Sequence, residues 1–153
     1  MEPSLIDNYD PKEDIKPWNM DINTFCMLMH LSQFASSVLP LAGLILPLVM
    51  WLQFRKENRK IDENGKEIMN FMLTMLIAGI GFVFVFVLLF VGVLAGSSGN
   101  PFISIGSGIL IFLIAVGLAI GYLVVIILAA VNANKGEIGR YPMTIKFFKP
   151  DGE

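Results

Sequence analysis

The stretch HLSQFASSVLPLAGLILPLVMWL, His30 to Leu52, decides how this chain is built. It lies inside a run from Ile22 to Phe54 that contains no Asp, Glu, Lys or Arg. As one straight helix that run would be roughly 50 Å long at ~1.5 Å per residue. A bilayer core is ~30 Å thick and takes ~20 helical residues. The run is therefore too long for one span and too short for two spans with a turn. Pro40 and Pro47 interrupt it. Neither can donate a backbone N–H, so the carbonyls of Ser36 and Gly43 are freed. The sequence thus predicts one long, broken element, with helical pieces from about Ile22 to Ser37 and from about Leu41 to Phe54. Such breaks are tolerated at membrane depth only where the freed carbonyls meet protein or water.

The first piece has a polar face. Asn23, Cys26, His30, Gln33 and Ser37 follow three- and four-residue steps and stack along one side. Phe25, Leu28 and Leu39 lie opposite. Two readings stay open. The piece is an interfacial amphipathic helix with its stripe toward headgroups, or the stripe turns inward against Asn70 and Thr74. In the second case a buried Gln33 needs hydrogen bonds, worth ~1–2 kcal/mol in membrane model systems.

The rest of the chain is more uniform. Of 153 residues 55% are hydrophobic and 16% charged, against about 25% charged in soluble domains. A second uncharged run, Ile68 to Asn134, is interrupted only by GSSGNP, Gly96 to Pro101. Its FVFVFVLLFVGVLAG segment has no polar face, as expected of a lipid-facing helix. The expected fold is an all-α integral membrane protein. It has three transmembrane helices, at about 22–54, 67–95 and 102–135, the first long and broken at Pro40 and Pro47. Residues 1–21 form an acidic polar tail that does not read as a cleavable signal peptide. Residues 22–149 form a single membrane domain, and 150–153 are terminal.

Small residues mark the third helix. Gly117 and Gly121 form a GxxxG pair, and Ser104–Gly108, Ala115–Ala119 and Ala129–Ala133 repeat the spacing. Such pairs let backbones approach closely in lipid, although Gly and Ala are also simply common in membrane helices. Gly136, after Asn134 and Lys135, suits a helix C-cap with a basic residue in the last turn. Beyond Pro142 the alternation in MTIKF predicts a short extended strand over about 141–148. Met143, Ile145 and Phe147 are expected to dock on the helix ends, and Tyr141 to anchor at the interface. Glu137 and Arg140 are placed to pair with Lys66 and Glu67.

Basic residues orient the chain. Segment 55–67 carries Arg55, Lys56, Arg59, Lys60 and Lys66; the C-terminal segment carries Lys135, Arg140, Lys146 and Lys149; the 96–101 link carries none. Positive loops stay in the cytoplasm. Three spans then put the N-terminus outside and the C-terminus inside a bacterial cytoplasmic (inner) membrane. The alternative keeps the N-terminus inside, with the first run dipping in and returning as two half-depth helices.

Catalytic signals are weak. One His and one Cys, Cys26 and His30, sit four residues apart without a charged orienting group. Zinc needs three or four ligands. No phosphate loop or dinucleotide fingerprint occurs. Segment 55–67 mixes its bases with acids, so nucleic acid is not an indicated partner. No catalytic, cofactor or metal site is expected.

Three patches read together: CMLMHLSQ through LPLAGLILPLVMWLQFRK, then IDENGKEIMNF, then AAVNANKGEIGRYPMTIKFF. They resemble a family of small bacterial three-span membrane proteins without an established activity. That family is distantly similar to the twenty-kilodalton membrane subunit of the chloroplast inner-envelope import translocon. The resemblance covers about Trp18 to Phe148 and implies a cytoplasmic C-terminus. The expected role is an accessory or scaffold subunit, with the bilayer and other membrane subunits or further copies as partners. The alternative is a component of a transport or protein-translocation channel. Packing or partner positions are His30, Gln33, Pro40, Pro47, Asn70, Thr74, Gly117, Gly121, Asn132, Gly136, Glu137, Arg140, Tyr141 and Pro142.

Overall fold

The computed structural model describes residues 15–96 and 100–149. The acidic tail up to residue 14, the centre of the GSSGNP link and residues 150–153 lie outside the described residues. The described residues form four α-helices: α1 (Ile22–Leu31), α2 (Ala42–Phe54), α3 (Arg59–Gly96) and α4 (Pro101–Asn134). Short 3-10 segments, Pro17–Asn19 and Ser32–Ser37, flank α1.

The long first run folds back on itself. Phe25 of α1 meets Phe54 at the end of α2, ring centroids 5.3 Å apart. The Trp18 indole N–H donates to Gln53 Oε1 at 3.2 Å. Both ends of the run therefore lie at one end of the molecule. This corrects the three-span expectation to two. Among the described residues only α3, over Arg59–Val93, and α4, over Ile105–Asn134, are long and apolar enough to cross a membrane. α2 has 13 residues, about 20 Å of helix.

Serines explain the reversal. The hydroxyls of Ser32, Ser36 and Ser37 donate to the carbonyls of Met29, Gln33 and Phe34, at 2.7, 2.9 and 2.6 Å. Each bond reaches three residues back, in the segment where α1 tightens into a 3-10 turn. Around Pro40 the backbone serves itself: Val38 and Leu39 N–H both donate to Ala35 O, and Ala42 N–H to Leu39 O. Pro40 is exposed at this turn. Pro47 stays inside α2 without ending it and is buried. Asp21 caps α1, its carboxylate accepting from Asn23 and Thr24 N–H.

α3 begins eight residues earlier than expected. Asn58 Oδ1 accepts from the N–H groups of Lys60 and Ile61, at 2.9 and 3.3 Å, as an N-cap does. Arg59–Glu63 and Asp62–Lys66 then pair across single helical turns. The charges that read as a loop are the first two turns of this helix. α4 opens on an Asn100 cap with Pro101 at its first turn. It closes on Gly136, φ +87°, with Gly136 N–H on Ala133 O and Glu137 N–H on Asn132 O, a Schellman closure.

The C-terminal segment corrects the tail expectation. No strand occurs among the described residues. Met143 is 96% exposed, and Ile145 and Phe147 are also exposed. Tyr141 is buried in the core rather than anchored at an interface. Among the described residues neither Glu137 nor Arg140 forms an ion pair; Lys66 pairs with Asp62 at 2.6 Å. Phe25, assigned to the side opposite the polar stripe, is fully buried between Trp18 and Phe54. α1 is thus covered on both sides, against α2 and against Ile126, Ala129 and Ala133 of α4.

Two regions result. Residues 15–76 and 122–149 form a packed head. Beyond it α3 and α4 continue as two arms with exposed side chains from Ile77 to Val91 and from Ile109 to Ile120. A methyl added at Gly79, Gly117 or Gly121 would meet no other segment within 4 Å.

Candidate functional site

The head contains a buried polar cluster built from three elements. α1 supplies His30, its 3-10 extension Gln33, α3 Asn64, and the C-terminal segment Gly139 and Tyr141. Asn64 fixes the pattern. Its Nδ2 donates to Lys60 O at 2.8 Å, and its Oδ1 accepts from Gly139 N–H at 2.9 Å. The oxygen therefore faces His30 Nε2, 2.9 Å away, and that nitrogen must carry the proton. His30 Nδ1 is then an acceptor and takes the Tyr141 hydroxyl proton at 2.5 Å. Tyr141 O accepts in turn from Gln33 Nε2 at 2.6 Å, and the same nitrogen donates to His30 O at 3.1 Å. One histidine tautomer and one orientation of each amide satisfy the chain of bonds.

Burial sets the electrostatics. His30 is pulled down to about 4 by desolvation, with the Asn64 hydrogen bond opposing. Burial also raises Tyr141, against the Gln33 hydrogen bond, and raises the Cys26 thiol to about 12. A neutral imidazole, a neutral phenol and a protonated thiol make a poor nucleophile–base set. Cys26 and His30 belong to the buried packing of α1.

Close approach makes the cluster possible. A Cβ at Gly139 would collide with His30 Nε2 and the Ala129 carbonyl. Gly65 likewise lies under the Trp51 indole, which donates to Asp62 at 2.9 Å. Phe71 stacks on Tyr141 at 4.1 Å between centroids, with Tyr122 on its other contact at 5.7 Å.

The expected partners of the stripe have another task. Asn70 Oδ1 accepts from Phe148 N–H at 2.7 Å while its Nδ2 donates to Phe148 O at 2.8 Å. Thr74 Oγ1 accepts from Ile145 N–H at 3.0 Å. Asn70 and Thr74 thus clamp the C-terminal segment to α3. His30, Gln33 and Tyr141 converge; Asn70 and Thr74 lie beside them; Gly136 and Asn132 close α4. Pro142 leads the turn after Tyr141, and Gly117 and Gly121 stand on the open arm. Asn64, Gly65, Gly139 and Trp51 were not singled out in sequence. Asn64 and Gly139 do fall inside the patches IDENGKEIMNF and NKGEIGRYP, each an Asn or Gly amid charges beside an apolar run.

The segment that carries this architecture, residues 21–148, matches the model of the magnetosome magnetite crystal formation protein family. The chain belongs to that family. The match takes in the hairpin, both long helices and the clamped C-terminal segment, so the polar cluster lies wholly within it. No curated protein and no solved structure shows a significant match. None of the comparisons supports the likeness to the chloroplast translocon subunit. The family is one of bacterial membrane proteins, in keeping with two apolar helices.

Proposed function

We propose that this protein is a non-catalytic scaffold of a magnetosome membrane, acting in magnetite crystal formation by holding other membrane subunits or further copies of itself. The observation that carries this reading is the contrast between a closed head and open arms. The polar groups of the head are turned onto one another, whereas the arms expose apolar side chains and small residues over most of their length. Direct mineral contact has less support: among the described residues no three or more His, Cys, Asp or Glu converge to hold a metal ion. A channel role has less support too, because residues 68–134 contain no ionisable Asp, Glu, Lys, Arg or His.

The reading includes an orientation. Every described lysine and arginine, from Lys16 to Lys149, lies in head segments, which puts the head on the cytoplasmic side. The tip of the α1–α2 hairpin exposes Val38, Leu39 and Leu41 and dips part-way into the bilayer. Its backbone bonds are made locally, as lipid requires.

Extraction of native membranes into polymer-bounded discs tests the scaffold. The wild-type chain is expected to emerge in assemblies larger than one copy. Gly121→Leu, on an open face of α4, should release partners and leave the head folded. A single copy in the wild-type discs would overturn the reading. Cysteine labelling in a Cys26→Ala background tests the orientation: Phe102→Cys should react from outside, Lys60→Cys and Asn19→Cys only after permeabilisation.

A further inference from the structure

Among the described residues one buried polar side-chain atom of the head lacks a protein partner. Gln33 Oε1 accepts no hydrogen bond, although Gln33 is 99% buried by its 1% exposure. Its orientation is not free. Nε2 is held by His30 O and the Tyr141 hydroxyl, and exchanging the two ends would set two acceptors face to face. An acceptor left buried and unpaired like this carries an uncompensated desolvation penalty. A ligand here must therefore bring a donor.

Gln33 lines a groove of about 500 Å³ between α2 and α3, within the usual range of small-ligand sites. Leu44 and Leu48 form one wall, Met69, Met72 and Leu73 the other. Trp51 also lines it, with its indole N–H engaged by Asp62. No charged side chain lines the groove. An ammonium donor buried here would lack a counter-ion, which is costly; a neutral hydroxyl would not. The methionine-rich wall adapts to a flexible chain. Leu44, Leu73 and Leu76 carry the groove onto the exposed apolar surface of the arms, so the ligand enters from lipid.

We propose that the groove between α2 and α3 binds a neutral, hydroxyl-bearing lipid of the diacylglycerol class, its hydroxyl donating to Gln33 Oε1 and one acyl chain lying along the Met/Leu wall. The inference rests on the membrane placement above, and is independent of whether the arms recruit partners.

Trp51 provides the readout. The full chain with Trp18→Phe, reconstituted in phosphatidylcholine nanodiscs, has one tryptophan, in the groove. Diacylglycerol brominated in its chains is titrated in, beside the same lipid with its hydroxyl acetylated. The free-hydroxyl lipid is expected to quench Trp51 at a several-fold lower mole fraction than the capped one. Gln33→Leu should erase that preference. Because Gln33 also holds Tyr141, Met72→Phe is the second variant: it fills the groove, leaves the polar cluster untouched, and should likewise erase the preference with an unchanged melting curve. Equal quenching by both lipids, as from annular lipid, overturns the proposal. So does a preference that survives both substitutions, which would place the lipid elsewhere. Failure of the unmodified chain to enter the nanodiscs would overturn the membrane placement itself.

Discussion

The head and the arms of this molecule use the same helices in opposite ways. In the head α3 is capped by Asn58, crossed by Trp51 over Gly65, and bonded to the C-terminal segment through Asn64, Asn70 and Thr74. Twenty residues on, the same helix is bare: among the described residues Phe82, Phe86 and Phe90 stack only on one another. The difference shows where uniqueness of structure comes from. Apolar side chains are nearly indifferent between lipid and a neighbouring helix. Buried polar groups are not, because each requires a particular partner. The head is specified by its hydrogen bonds, and the arms receive their surroundings from the membrane.

The largest expected effect sets a glycine of one region against a glycine of the other. Gly139→Ala drives a methyl into His30 Nε2 and the Ala129 carbonyl. It should lift the C-terminal segment off Asn64 and destabilise the head by on the order of 3 kcal/mol. Gly117→Ala meets nothing and should be neutral or slightly stabilising, since Ala outranks Gly in a helix by about 1 kcal/mol. Thermal unfolding of the two variants in the same detergent checks this. A destabilised Gly117→Ala in native membranes with an unaffected one in detergent would show the arm packed against a partner there.

Acid should act on the head next. Folded His30 takes a proton only near pH 4, whereas the unfolded chain takes it near the ordinary ~6.5. Between those values the unfolded state holds more protons, so stability rises with pH. The His30 contribution is complete above about 6.5 and is lost as pH falls toward 4, on the order of 3 kcal/mol in all. Protonation would also set an N–H of His30 Nδ1 against the Tyr141 hydroxyl. Melting of wild type and His30→Gln is compared from pH 7.5 to 5. The wild-type midpoint should drop more steeply, and parallel curves would remove His30 as the source.

How much of this could be read beforehand follows the same divide. The two long helices were legible because Ile68 to Asn134 is uncharged and broken only once, and composition alone decides such a segment. The head was less so. Arg59 to Glu67 reads as a loop when its charges are taken singly; their i,i+4 pairing and the Asn58 cap make them helical. The hairpin stands in the sequence only as the alternative, since length leaves the Ile22–Phe54 run too long for one straight span and too short for two. What decides for reversal is three serine hydroxyls turned onto their own backbone. Tyr141 looked like an interface anchor because its burial depends on Gly139, 75 residues from the Asn64 that holds it. A spacing pattern along one helix reveals a face, as with Cys26, His30 and Gln33, but not which distant segment will cover it.

The smallest expected effect lies where the two regions meet. Met143 follows Pro142 with φ +56°, the left-handed setting that the second position of a Pro-led turn asks for. An L-residue there is strained by roughly 1–2 kcal/mol. Its side chain is almost wholly exposed, so little packing offsets that strain. Met143→Gly removes the strain but gives the unfolded chain more freedom, by roughly 0.5–1 kcal/mol. The net expectation is a gain below about 1 kcal/mol, a rise in the melting midpoint smaller than the ~2–4 °C that 1 kcal/mol gives a chain of this size. The turn is a sensitive place to look because both its flanks are fixed: Tyr141 is bonded to His30, and Ile145 N–H to Thr74. Met143 also lines the cleft between the arms, alongside Gly117 and Phe82. Should Met143→Gly lower the midpoint in bilayers while raising it in detergent, the methionine is engaged by something in the membrane. The boundary between a self-sufficient head and membrane-dependent arms would then run through Pro142 rather than through Leu76 and Tyr122.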